Sequence, residues 1–165
     1  MTLMSTPAPL VLVTLTGALG TLGCNQVTST DNATQAIVPA DYKSTFTEVR
    51  GCRKTGVGHE GDLFIRVLAG PSAKAPYTER KVPFPEGAVV VKEQFDDEKC
   101  QTLVQLTAMR KEAKGYDPTA SDWHWQTLGA DRAVKLDGKV KRCIGCHADA
   151  AGECNGGYDL TCTAP

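Results

Sequence analysis

The sequence predicts a β-rich fold of the α+β class, closed by a short helix near the C-terminal end. Three observations carry this. Four runs rich in branched and aromatic residues have strand length and are separated by Gly- and Pro-punctuated connections. No stretch has the length and 3.6-residue periodicity that a bundle of amphipathic helices requires. The last apolar segment, Val140 to Ala150, is short and reads as a helix.

Along the chain, residues 1–23 carry no charged side chain and hold an apolar run from Leu10 through Leu22. The run is short for a membrane span, which needs about 20 apolar residues, and fits the core of an export signal. It ends in Thr21-Leu22-Gly23-Cys24, similar to a bacterial lipobox, in which the Cys is acylated and becomes the first residue of the mature protein. An ordinary cleaved signal is the alternative. Either predicts an exported protein, and acylation of Cys24 predicts a lipid anchor on the periplasmic side of a bacterial membrane. Nothing else in the chain resembles a transmembrane segment. Residues 24–40 are rich in Ser, Thr, Asn and Gln, with one charge at Asp31, and read as a flexible tether. A folded domain is expected over 41–165. Its net charge gives no electrostatic case for nucleic acid, the whole chain summing to −1, and a mature chain of roughly 140 residues suits one domain.

Within the domain, Asp41 to Arg50 reads as a short helix capped by Asp41, with Tyr42, Phe46 and Val49 at helical spacing. Gly51 to Gly61 reads as a Gly-rich loop. Leu63 to Leu68 reads as a strand, and Pro71 to Tyr77 as a short helix or turn. Val82 to Pro85 must be extended, because a residue before Pro is pushed out of the helical region. Ala88 to Glu93 is the clearest strand, expected to be central. Leu103 to Arg110 and Asp122 to Thr127 are further strands, the latter alternating two Trp with polar neighbours.

The helix carries Cys143-Ile144-Gly145-Cys146-His147, the C-x-x-C-H signature of c-type haem attachment. Each thiol can add to a haem vinyl group, and His147 can then reach the iron as axial ligand. A redox pair needs no following His, and a zinc site needs four ligands. One covalent haem c per chain is therefore expected, held by Cys143 and Cys146 with His147 on the metal. Cysteine arithmetic agrees. Of seven Cys, one is taken by lipid and two by haem. Cys52, Cys100, Cys154 and Cys162 remain, an even set suited to two disulfides in an oxidising compartment. Three connectivities are open. The pairing favoured is Cys154 with Cys162, across a short Gly-rich loop, and Cys52 with Cys100, between segments read as neighbouring strands or their loops.

The position of the motif separates haem folds. Small cytochromes c carry it near the N-terminus with a Met ligand downstream; here no Met follows it. Four-helix cytochromes c′ carry it late but need long helices. The block Phe84-Pro85-Glu86-Gly87-Ala88-Val89-Val90-Val91-Lys92-Glu93, then Met109 to Lys111, Asp122-Trp123, and Cys143 to His147 followed by Ala148 resemble the cytochrome P-460 / cytochrome c′-beta family in order and spacing. The resemblance covers Asp41 to His147. It implies a mainly antiparallel β fold, often a homodimer, and haem c on a single axial His with the sixth position open to a small ligand. Members bind nitric oxide or oxidise hydroxylamine. In the hydroxylamine oxidisers a Lys of this block is joined to the haem edge, and Lys92 occupies that place. On a strand Lys92 shares a face with Ala88 and Val90. The alternative is a structural Lys, paired with a carboxylate or a haem propionate. Those oxidisers also place a Glu over the distal face. The matching position here is Thr107, a poor general base.

Other residues complete the expectations. Met109, His59 or His124 as sixth ligand would make a six-coordinate electron carrier with a redox partner protein. Trp123 and Trp125 are expected in the core or against the porphyrin. Arg66, Arg80, Arg132 and Arg142 are candidate partners of the haem carboxylates.

Overall fold

Tyr42–Thr45 (α1), Pro71–Glu79 (α2) and Lys141–Ala148 (α3) are the helices, and Thr47–Lys54 (β1), Phe64–Ala69 (β2), Val89–Phe95 (β3), Leu103–Lys111 (β4), Trp123–Gly129 (β5) and Val134–Gly138 (β6) the strands. They come from a computed structural model that describes residues 34–55, 63–149 and 157–163, all within a compact unit spanning Asn32–Pro165. The strands form one six-stranded sheet in the order β1-β2-β3-β4-β5-β6, every neighbouring pair antiparallel. The fold is thus α+β around an antiparallel meander, with β3 and β4 central. None of the helices among the described residues is long and apolar enough to cross a membrane.

Both faces of the sheet are covered, and β3 is accordingly buried or half-buried at every position. On one face Leu68, Val91, Leu106 and Leu128 pack under Ile37, Val38 and Tyr42. On the other, Val67, Val90, Met109, Trp123 and Trp125 meet Ala73 and Tyr77 of α2, with Cys143 and Ile144 of α3 packed against them. The segment before α1 is part of this packing. Ile37 N–H donates to Gln126 Oε1 at 2.8 Å, and Gln126 Nε2 donates to the Gln35 carbonyl at 2.9 Å. Residues 35–38, expected in the tether, therefore contribute to the buried face, and regular packing begins before Asp41.

The first elements differ most from expectation. The helix expected over Asp41 to Arg50 is one turn, Tyr42–Thr45, and Asp41 makes no side-chain cap. The β-branched Thr47 and Val49 instead enter β1, which runs through Gly51 and Cys52 into the segment read as a loop. Its pairing with β2 slips at Glu48/Arg50 and again at Arg50/Arg53. Such bulges break the period-two alternation, so the strand has no legible pattern. β6 was not foreseen either; it is only Val134–Gly138, half exposed at the sheet edge. The four expected strands, α2 and α3 stand within one or two residues of their predicted bounds. Residues 1–33, with the export signal and Cys24, residues 56–62, with His59, and residues 150–156, with Cys154, lie outside the described residues.

Candidate functional site

Strand alternation and register build a wall of three cross-strand rows. Val67, Lys92, Thr107, Thr127 and Leu136 face one another in sequence across β2 to β6. Ile65, Gln94 and Gln105 form the row on one side, and Val90, Met109 and Trp125 the row on the other. All line a cavity of about 680 Å³, roofed by Val140 and, on α3, Arg142, Cys143, Cys146 and His147. This volume lies within the usual range of cofactor pockets. The face of β4 that meets the cavity, unreadable from its sequence, is the one bearing Gln105, Thr107 and Met109.

On α3, Cys143, Cys146 and His147 stand at i, i+3 and i+4, so one helical face carries all three. Cys143 and Cys146 are free thiols. Burial pushes the Cys143 thiol above its ordinary range, against the opposing pull of Lys92 and Arg142. The His147 ring borders the open cavity while protein surrounds the rest of it. Burial, with Lys92 adding repulsion, pushes its pKa down to about 4 despite a hydrogen bond to Leu160 that works the other way. His147 is therefore neutral near pH 7. Its Nδ1 lies 2.6 Å from the Leu160 carbonyl, which can only accept. Nδ1 thus carries the proton and Nε2 keeps the lone pair a metal needs.

The Leu160 carbonyl is held in place by a strained turn. Asp159 and Leu160 both have positive φ, 50° and 61°, a conformation that persists only where surroundings impose it. Asp159 is pinned twice. Lys111 Nζ reaches its carboxylate at 2.7 Å, and Trp123 Nε1–H donates to its carbonyl at 2.8 Å. The Trp125 ring meets the His147 ring edge-on, centroids 4.7 Å apart.

The charge of the cavity is one-sided. Arg50, Arg53, Lys54, Lys92, Lys135 and Arg142 line it, and no Asp or Glu does among the described residues. Of these only Lys92 and Arg142 were singled out from sequence. Arg50, Arg53 and Lys54 sit on the bulged β1 and Lys135 on β6, the two elements without a sequence signal.

The remaining candidates are redistributed. Arg66 turns to the opposite face and pairs with Glu93 at 2.6 Å. Arg132 donates to the Val38 carbonyl and Arg80 to that of Thr163. None of the three lines the cavity. His124 is held between Glu112 at 3.0 Å and Asp137 at 2.7 Å, also outside the cavity. Met109 lines the cavity but is buried among apolar neighbours. Trp123 packs edge-on against Phe84, so only Trp125 borders the site. Cys52 and Cys100 form a disulfide. Cys162 is also disulfide-bonded; its expected partner, Cys154, lies outside the described residues.

Haem fits this site on its donor set. Two thiols and a lone-pair imidazole share one helical face, cationic side chains line the wall, and one buried donor there, Trp125 Nε1, has no protein partner among the described residues. A zinc reading lacks its further ligands, since no group of three or more His, Cys, Asp and Glu is placed to hold a metal among the described residues.

The family model Cytochrome P460 matches residues 39–154, well over half of the chain. No curated protein matches it. The chain belongs to the cytochrome P460 family and is a haem protein.

Proposed function

We propose that this member of the cytochrome P460 family carries one covalent haem c and binds a small nitrogen oxide, such as nitric oxide, at an open iron site. Cys143 and Cys146 would hold the haem and His147 Nε2 the iron. When bound, the haem supplies the ligand-binding and redox chemistry. The chain's residues orient the axial imidazole through Leu160, place cations opposite the haem carboxylates, and shape access from the sheet side.

The observation that carries the reading is the absence of a carboxylate on the cavity wall among the described residues. Thr107 stands cross-strand from Lys92, where a proton acceptor would be needed to oxidise hydroxylamine. A hydroxyl neither accepts a proton well at neutral pH nor is tuned toward it by cationic neighbours. Ligand binding needs no such base. The position of Lys92 on the wall, close enough to act on both Cys143 and His147, supports the second reading, a hydroxylamine-oxidising cytochrome with a Lys92-modified haem. The third, a six-coordinate electron carrier, would take a second His, of which His59 lies outside the described residues, or draw Met109 out of its apolar packing.

We further place the protein on the periplasmic side of a bacterial membrane, anchored by an acylated Cys24 and exchanging electrons with a partner protein, as a homodimer in keeping with the resemblance. The Cys52–Cys100 disulfide supports an oxidising compartment.

The test is the absorption spectrum of protein matured with a cytochrome c assembly system, reduced, with and without carbon monoxide, beside Lys92→Ala. An ordinary haem c spectrum, shifted by carbon monoxide and unchanged by the substitution, is expected. A red-shifted Soret band that reverts in Lys92→Ala would establish the second reading. Low-spin iron indifferent to carbon monoxide would establish the third.

A further inference from the structure

Trp125 carries the one buried polar side-chain atom without a hydrogen-bond partner among the described residues, its indole Nε1. Native structures rarely leave such a donor unsatisfied. The contrast lies two residues away on the same strand. Trp123 is buried to the same degree, yet its Nε1–H donates to the Asp159 carbonyl at 2.8 Å. Trp125, 3% exposed, borders the cavity instead. An occupant of the cavity that Trp125 borders is the source we consider for the missing acceptor.

The occupant's chemistry narrows the choice. Haem offers two kinds of acceptor, its carboxylates and whatever sits on the iron opposite the axial His. Trp125 is in ring contact with His147 at 4.7 Å, which puts it on the axial imidazole's side, away from the sixth position. The wall around it bears six cationic side chains, which attract a carboxylate entering there. A charge-assisted hydrogen bond from an indole N–H would be strong in such a place.

We propose that Trp125 is a positioning residue whose Nε1–H donates a hydrogen bond to a haem carboxylate, fixing the rotation of the haem about the Cys143–Cys146 edge and His147. The inference rests on the haem reading above. It is tested on the matured holoprotein by resonance Raman spectroscopy of the wild type, Trp125→Phe and Trp123→Phe. Loss of the bond shifts the carboxylate-bending band to lower frequency in Trp125→Phe, while Trp123→Phe leaves it in place. A merely structural role would move neither. An unchanged band in haem-loaded Trp125→Phe overturns the inference and leaves the haem reading intact; wild-type protein that matures without haem removes both. If Trp125→Phe does not fold, the crystal structure of the wild-type holoprotein decides. A carboxylate oxygen within hydrogen-bond distance of Nε1 is expected, and a water, a backbone carbonyl or an iron ligand there overturns it.

Discussion

Glu93 and Lys92 are neighbours in sequence with opposite fates. Alternation sends Lys92 to the cavity and Glu93 to the other face, where it is fully buried. Glu93 survives there because Tyr42 O–H donates to it at 2.7 Å and Arg66 pairs with it at 2.6 Å. A buried charge needs such partners. Burial, with the hydrogen bond to Glu93 and its charge, raises the Tyr42 pKa above its ordinary value. The sign of the consequence follows from proton counting. Above the ordinary Tyr pKa, about 10, the unfolded chain releases the phenolic proton and the folded protein keeps it. Unfolding is then favoured as pH rises, and stability present below pH 10 is lost above it. Urea denaturation from pH 8 to 11.5 is expected to show this decline, and Tyr42→Phe to flatten it. Tyr77, also raised by burial, leaves a residual slope. The facing of Lys92 and Glu93 was legible from alternation. The partner of Glu93 was not, because Arg66 could be assigned to it only through the β2–β3 register.

At the scale of elements, the block Pro85-Glu86-Gly87-Ala88 shows why its glycine stands where it does. Ala88 N–H returns to the Pro85 carbonyl at 3.0 Å, closing a turn in which Gly87 has φ +80°. A Cβ at Gly87 would meet nothing within 4 Å, so the whole cost of a substitution is conformational. Gly87→Ala is expected to lower stability by about 1 kcal/mol, read as a lower urea midpoint at unchanged m-value. The Cys52–Cys100 bridge ties the bulged β1 to the segment before β4, across 48 residues of sequence. A closed loop of that length restricts the unfolded chain by about 4 kcal/mol in the chain-entropy view. Cys52→Ser/Cys100→Ser is expected to lose about 2–4 kcal/mol, measured by reversible denaturation under conditions that keep Cys162 oxidised. This pairing was among those open to sequence. β1 itself was not legible, since two bulges erase the alternation that marks a strand.

For the whole molecule, the cavity lies between the sheet and α3, bordered by the same Val67, Val90, Met109 and Trp125 that form the core on that face. A bound group there is part of the packing, and what binds only the folded state stabilises it. Cys143→Ala/Cys146→Ala, isolated free of haem, is expected to melt on the order of 10 °C below the loaded protein, by scanning calorimetry. An equal Tm would mean that the cavity's occupant contributes nothing to the fold. By itself the sequence determined the local geometry: two thiols and an imidazole on one helical face, and Lys92 opposite Glu93 on a strand. These depend on residues a few positions apart, where spacing dictates direction. The tertiary structure alone decided which face of β4 meets the cavity, which arginines surround it, that the Leu160 carbonyl sets the His147 tautomer, and that one Trp of two is left with a free donor. Each of these joins residues far apart in the chain, through sheet register and a strained C-terminal turn that local pattern does not encode.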